Sequence, residues 1–230
     1  MTPPIQRPAP VRSRAARSDG LETRAHILEV AGRTFAERGF ERTTSREICT
    51  RAGTNLAAVN YHFGGKGGLY DAVLVQAHNQ LVELNDLEAL WRGPDTPRAK
   101  LRALIALFVR RASGPALPWG LRVLTHELMA PTSHVPVLIE RAMLPKIRVV
   151  MAIIASVLGV SDGDPVVQRA LAMVVMPCVM LVVAPRDVLH QVLPAVAADP
   201  HTLVDDMACY ALAGLEAIAA RQRTDAPTPR

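Results

Sequence analysis

Between Thr44 and Lys66 the chain gathers side chains whose chemistry suits the edge of a nucleic-acid duplex. Asn60 carries an amide that can pair with the donor-acceptor edge of adenine, and Arg46 a guanidinium that can reach guanine. Leu56, Ala57 and Ala58 are small apolar surfaces of the kind that meet thymine methyls. Thr44, Tyr61, His62 and Lys66 supply hydroxyl, ring and ammonium donors that phosphate oxygens accept, so they would set position rather than read sequence. Ser45 and Asn55 complete the outward-facing set. For Tyr61 and Phe63 a second role is open, as core residues pinning the next helix; it suits Phe63 better than Tyr61.

Such a set is useful only if two short helices present it. Thr44 can cap a helix from Ser45 to Arg51, Gly53 can end it in a left-handed conformation, and Asn55 can cap the next helix, Leu56 to His62. Ile48, Ala52 and Val59 are the apolar positions that lock the pair together. The spacing therefore predicts a helix-turn-helix whose second helix enters the major groove.

Charge supports the same reading. Residues 1–66 carry 11 Lys/Arg against 6 Asp/Glu, and residues 67–230 carry 15 against 15, so the whole formal charge of +5 belongs to the first 66 residues. A basic module on a neutral body is what attraction to phosphate requires, although arginines gathered on a solvated face would look alike in composition.

The stretch from Thr23 to Tyr70 resembles the DNA-binding domain of TetR/AcrR-type bacterial repressors. The resemblance is carried by Phe35, Gly39, Phe40, Thr43 and Thr44, then Ile48 with Ala52-Gly53, then Tyr61-His62-Phe63-Gly64 with Lys66 and Leu69. One departure stands out. Gly67 and Gly68 follow Lys66 where the family has an acidic residue, which would loosen the start of the fourth helix while leaving the lysine in place. Further on, Glu127 with Pro131-Thr132, together with Asn55 to Gly64, resembles a subgroup of these regulators with a YbiH-like C-terminal domain.

The expected fold is all-α, an N-terminal three-helix helix-turn-helix domain followed by a larger helical ligand-binding and dimerisation domain. The expected divisions are a disordered basic arm over 1–18, the DNA-binding domain over 19–66, the effector and dimerisation domain over 67–223, and a frayed tail over 224–230. Arg12, Arg14 and Arg17 make the arm either a minor-groove reader or a solvated tail. Leu21, Ala25, Leu28, Ala31 and Phe35 form the first apolar stripe; Leu69, Val73, Ala77, Leu81 and Leu84 predict one long fourth helix from Gly68 to Leu90. Further helices are expected over Pro97 to Ala112, Leu117 to Met129, Val135 to Leu158, Pro165 to Val183 with a kink at Pro177, and Thr202 to Arg221.

Two parts of the larger domain invite functional readings. Trp119, Arg122, His126 and Met129 recur on one helical face and, with Phe108, Met173, Met176 and Met180, could enclose a mainly aliphatic effector pocket. The plainer alternatives are solvated Arg122 and His126 and a methionine stripe in ordinary core packing. On the last helix Leu203, Met207, Ala211, Gly214 and Ile218 form one apolar face and Ala208, Leu212, Leu215 and Ala219 another. A helix apolar on two sides needs two partners. One would be its own domain; the other would be a second chain, unless both faces are buried in the monomer. The resemblance implies the second chain, since such repressors dimerise through their last two long helices, and a two-fold dimer prefers an inverted-repeat operator.

Other classes fit poorly. His126-Glu127 opens like a zinc-protease motif, but Ala130 stands where the second histidine belongs, and the chain has no Gly-rich phosphate loop and no G-x-S-x-G elbow. No catalytic residue, cofactor or metal is expected. Cys49, Cys178 and Cys209 lack metal-finger spacing and read as reduced core residues. The first 20 residues lack the apolar core of a signal peptide, and the run from Ala170 to Ala184, 15 residues with Pro177 inside, is short of a bilayer span. The expected partners are a double-stranded DNA operator, a second copy of the chain and an unidentified small-molecule effector, with no membrane, in the cytoplasm. The competing readings are an architectural DNA-binding protein without effector and a small helical enzyme with a vestigial helix-turn-helix.

Overall fold

A computed structural model describes residues 14–114 and 119–225. Among the described residues the regular structure is entirely helical, and the chain divides into two compact units at Val73 and Leu74. The expected arm lies outside the described residues up to residue 13, and the backbone of 14–18 is already helix. The last residues of the expected tail, 226–230, also lie outside them.

The first unit contains α1 (Arg14–Arg42), α2 (Ser45–Ala52), α3 (Leu56–Phe63) and the start of α4 (Lys66–Asn79). Helix α1 is interrupted at Gly39, whose φ is 73°. The buried stripe of α1 is Ile27, Ala31, Thr34 and Phe35; Leu21 and Ala25, expected on the inner face, are exposed. One step along a helix turns the face by about 100°, and Ile27 and Phe35 are the larger residues to bury. Phe35, Phe40 and Tyr70 form an aromatic cluster, with centroids 4.8 Å apart for Phe35 and Tyr70 and 4.6 Å for Phe40 and Tyr70. That cluster fixes the start of α4, which begins at Lys66 rather than Gly68. The glycine at 68 serves close packing: a Cβ there would collide with the carbonyl oxygen of Phe63.

The second unit holds the rest of α4, then α5 (Leu84–Arg92), α6 (Pro97–Ser113), α7 (Gly120–Met129), α8 (Val135–Leu138), a π turn (Ile139–Met143), α9 (Leu144–Leu158), α10 (Pro165–Val183), α11 (Arg186–Val192), α12 (Pro194–Ala198) and α13 (Pro200–Asp225). Its core joins Leu87, Leu104, Ile105, Ile153, Val167 and Leu215 from α5, α6, α9, α10 and α13. The single helix expected from Val135 to Leu158 widens through the π turn just before Pro145, a residue with no N–H to continue the ladder. Neither α11 nor α12 was expected. Helix α10 continues through Pro177. Cys49 and Cys178 are buried, but Cys209 is exposed, which corrects its assignment to the core.

The expected fourth helix from Gly68 to Leu90 is in fact two, broken at residues 80–83. Two cations gather at the break, on the His78 carbonyl, on two side-chain acceptors of the last turn of α4 and on the Gln80 carbonyl just beyond it. Lys146, 4% exposed, donates to His78 Nδ1 at 3.0 Å, to the His78 carbonyl at 3.2 Å and to Asn79 Oδ1 at 2.9 Å, using all three ammonium donors. Arg111 donates from Nε to the Gln80 carbonyl at 2.8 Å. Positive charge at a helix C-terminus satisfies orphan carbonyls and opposes the helix dipole.

Burial, reinforced by the charge of Lys146, holds the pKa of His78 down at about 4, and burial lowers that of Lys146 to about 8. The unfolded imidazole titrates near its ordinary 6.5. Between those values the unfolded chain takes up a proton that the folded chain refuses, so stability falls as pH drops from 6.5 towards 4. Thermal unfolding at successive pH values should therefore show a declining Tm over this window. The decline should be shallower in His78→Gln, and an unchanged slope would count against His78 as its source.

Candidate nucleic-acid interface

The bend between α2 and α3 is made by local chemistry. Thr44 accepts a hydrogen bond from the Glu47 amide at 3.2 Å, and Asn55 accepts one from the Ala58 amide at 2.9 Å, so each helix opens on a side-chain cap. Gly53 sits at φ 60°, where a side chain would be strained, and its amide reaches back to the last carbonyls of α2. Ile48, Ala52 and Val59 are buried at the inside of the bend. His26 on α1 lies 3.2 Å from the Ala52 carbonyl. Outside, Arg51 bridges Glu37 at 2.6 Å and Glu47 at 3.2 Å, while Arg38 meets Glu47 at 3.1 Å, tying α1 to α2.

The outward surface holds most of the side chains singled out in the sequence. Thr44, Arg46, Asn55, Leu56, Ala57 and Asn60 are exposed, and Ser45, Ala58, His62 and Lys66 are half-buried. Tyr61 is 69% exposed, whereas Phe63 is half-buried with the Arg24 guanidinium 4.9 Å from its ring centre. The two aromatics thus have different roles. The Lys66 ammonium stands 4.1 Å from the centre of the Phe40 ring, which holds the lysine beside the glycine pair at the end of α3. An exposed helix tip of apolar and amide groups, flanked by hydroxyl, imidazole and ammonium donors, can meet base edges and phosphates together.

The residues expected to enclose an effector are not brought into one cavity. Trp119 is 1% exposed and Phe108 is in the core, but Arg122, His126 and Met129 on α7 point to solvent. The buried stripe of α7 is Gly120, Val123 and Glu127, one residue along from the expected one. Glu127 is the reason: its carboxylate accepts from the Thr132 amide at 2.9 Å and the Thr132 hydroxyl at 2.7 Å, turning that stripe inward. Met173, Met176 and Met180, expected as pocket lining, are 58–63% exposed on α10.

The expected dimer face divides between the core and the surface. Ala208 and Leu215 are buried in their own chain, and Leu203, Met207, Ala211 and Ile218 pack against the same core. Only Gly214 of that set is exposed; Tyr210, which the set omitted, is 81% exposed. The hydrophobic arc of α13 faces α6, aided by the Arg102–Asp205 and Arg98–Glu216 ion pairs at 2.6 and 2.5 Å. Sequence reasoning missed Lys146 and Arg111 altogether. A lysine inside an apolar helix was the available signal. No group of acidic, histidine and cysteine side chains fit to hold a metal occurs among the described residues.

Residues 27–73 match the family described as "Bacterial regulatory proteins, tetR family", and residues 97–218 match the C-terminal domain of the HTH-type transcriptional dual regulator CecR. The chain is 32% identical over 93 residues to the HTH-type transcriptional regulator AcrR of Shigella flexneri, which covers 40% of this chain and 43% of that relative. The alignment thus spans less than half the length of that protein. Among solved structures, a transcriptional regulator from Pseudomonas aeruginosa PAO1 superposes with a TM-score of 0.69 at 18% identity, covering 91% of this chain and 97% of the other. The regulator FadR from Bacillus subtilis, solved with stearoyl-CoA, superposes at 0.58 with 16% identity, covering 83% and 98%. At such identities the superpositions speak for the fold alone. The two family matches, laid over the bend at Gly53 and the helical body that follows, establish that the chain belongs to the TetR family of bacterial regulators.

Proposed function

We propose that the protein is a DNA-binding transcriptional repressor that sits on an inverted-repeat operator as a homodimer, in the cytoplasm, and is released by a small hydrophobic or amphipathic ligand. The observation that carries the DNA-binding part is the exposed tip of α3, where Leu56, Ala57, Asn60 and Tyr61 stand clear of the core on a cap made by Asn55. The net positive charge confined to the first 66 residues supplies long-range attraction to phosphate. Within the family, the match of the larger unit to a CecR C-terminal domain and the Glu127–Thr132 pairing favour the subgroup with a YbiH-like C-terminal domain.

The dimer reading draws its support from α10 and Tyr210. Helix α10 is long and apolar enough to cross a membrane, with mean hydropathy 2.2, and only 28% of it is buried within the chain. Met173, Met176 and Met180 leave an apolar surface on it that a second copy would cover, forming a four-helix interface with α13. A membrane is the less economical occupant, because the same helix also gives Val167, Ala170, Val174 and Cys178 to the core of its own unit.

Ligand release would be a population shift: the ligand must bind better to the conformation whose two heads do not match successive major grooves. Helix α4 is the natural lever, since it carries the chain across the boundary at Val73 and Leu74 and ends in the Lys146 and Arg111 contacts. FadR, with its bound stearoyl-CoA, is a protein of this fold that holds a ligand, which supports an effector here. An architectural protein without effector remains the second reading; it differs in having a footprint that no compound removes.

Sequencing of genomic fragments captured by the purified protein, followed by footprinting, tests the assignment. An inverted repeat is expected, and capture without sequence preference would overturn it. Asn60→Ala should relax base preference on that site, whereas Tyr61→Phe and Lys66→Ala should weaken all sequences alike, the lysine change also reducing the salt slope by about one unit. A parent-like discrimination by Asn60→Ala would refute its reading role. Met176→Glu should convert a dimer into a monomer in sedimentation equilibrium; a dimer of unchanged stability would place the interface elsewhere.

A further inference from the structure

We propose that a cavity where α6, α10, α11, α12 and α13 meet binds a small amphipathic anion, with the head group at Arg186 and the aliphatic part against Leu181, Leu189 and Leu203. This rests on the reading of the protein as ligand-responsive and gives that response a site. The cavity holds about 270 Å³ and lies wholly within the second unit. That is just under the roughly 300–1,000 Å³ of pockets for drug-sized ligands, so a compact occupant fits.

The lining is mixed in chemistry. Leu181, Leu189, Val196, Ala197 and Leu203 supply apolar surface, and Ser113, Arg186 and His190 supply polar groups. None of the three is acidic. Arg186 is half-buried and donates one N–H to the Gly114 carbonyl, which leaves further donors of its fork for an occupant. A second guanidinium comes from the last turn of α6: Arg111 Nη1 would lie 3.7 Å from a Cβ at Gly114, and the charge of Arg186 adds to burial in lowering the pKa of Arg111. The two guanidinium charges act against one another, and an anion at Arg186 would offset that repulsion while gaining a charge-assisted hydrogen bond. A neutral ligand of the same shape gains neither.

The position also matters for signalling. Arg111, one residue from the cavity wall at Ala112, is the group that donates to the Gln80 carbonyl just beyond the end of α4. A change of charge at Arg186 is therefore felt by a contact that terminates the lever. The residues proposed from the sequence as pocket lining, Trp119, Arg122, His126 and Met129, are not part of this cavity.

The test uses the full-length protein without DNA, titrated calorimetrically with decanoate, decyl sulfate and decan-1-ol below their aggregation limits. Either anion should bind saturably, and the alcohol at least tenfold more weakly. Arg186→Gln should weaken the anions at least tenfold, on the order of one charge-assisted hydrogen bond, and leave the alcohol unchanged. Ala197→Phe, which fills the cavity and leaves the bond from Arg186 to Gly114 in place, should weaken every probe at least tenfold. It carries the test should Arg186→Gln fail to fold. No saturable binding of either anion, an alcohol bound as tightly as the anions, or a smaller loss in the folded variants overturns the proposal. Anion binding without DNA affinity would sink the regulator reading alone, and DNA affinity without anion binding would sink this site alone.

Discussion

A helix that ends inside a protein leaves carbonyl oxygens pointing where water is scarce, and the end of α4 meets that constraint with two cations from distant parts of the chain. Lys146 spends all three donors on His78 and Asn79, and Arg111 covers Gln80. Because those groups are satisfied, the chain can stop, turn through residues 80–83 and send α5 back so that Leu87 enters the core with α6 and α9. A continuous helix would have carried Leu87 elsewhere. The larger unit is organised around that interruption.

The smaller unit depends on closer neighbours. Its bend follows from Gly53 in a left-handed conformation and Asn55 capping the next helix, two residues apart in sequence and needing nothing remote. Remote groups only stiffen it: His26 reaches the Ala52 carbonyl, and Arg51 reaches Glu37. Exposed ion pairs of this kind contribute little to stability, so the buried Ile48 and Val59 remain the main bond between the helices. Rigidity in the bend is what allows a short helix to present Asn60 and Tyr61 at a fixed register to a partner.

The apolar surfaces of α10 and α13 carry opposite assignments in the sequence and in the fold. Methionines expected around a ligand stand outward, and of the small residues expected between two chains Ala208 is buried in the core, Ala211 packs against it and Gly214 is exposed. Both helices are apolar over more of their circumference than one neighbour can cover, so composition alone leaves the choice of inward face undetermined. The choice is made by packing against the core shared with α6, which takes Val204, Ala208 and Leu215 of α13, with the exposed Arg98–Glu216 and Arg102–Asp205 pairs at the edge of the contact.

What the sequence determined by itself is the all-helical class, the helix-turn-helix and its outward residues, because caps, glycines and apolar spacing act within a few residues of one another. It also located α10 at the right bounds, since Asp164-Pro165 and Ala184-Pro185 punctuate its ends. Only the tertiary structure decided where α4 stops, which stripe of α7 turns inward, and that Arg186 comes to Gly114. The first and last of those depend on pairs far apart in sequence, Lys146 with His78 and Arg186 with Gly114, whereas the second depends on Glu127 with Thr132, five residues apart across the end of α7. A polar side chain shows its type in the sequence, but its partner is chosen by burial, which forces a donor to meet an acceptor only once the packed core has excluded water.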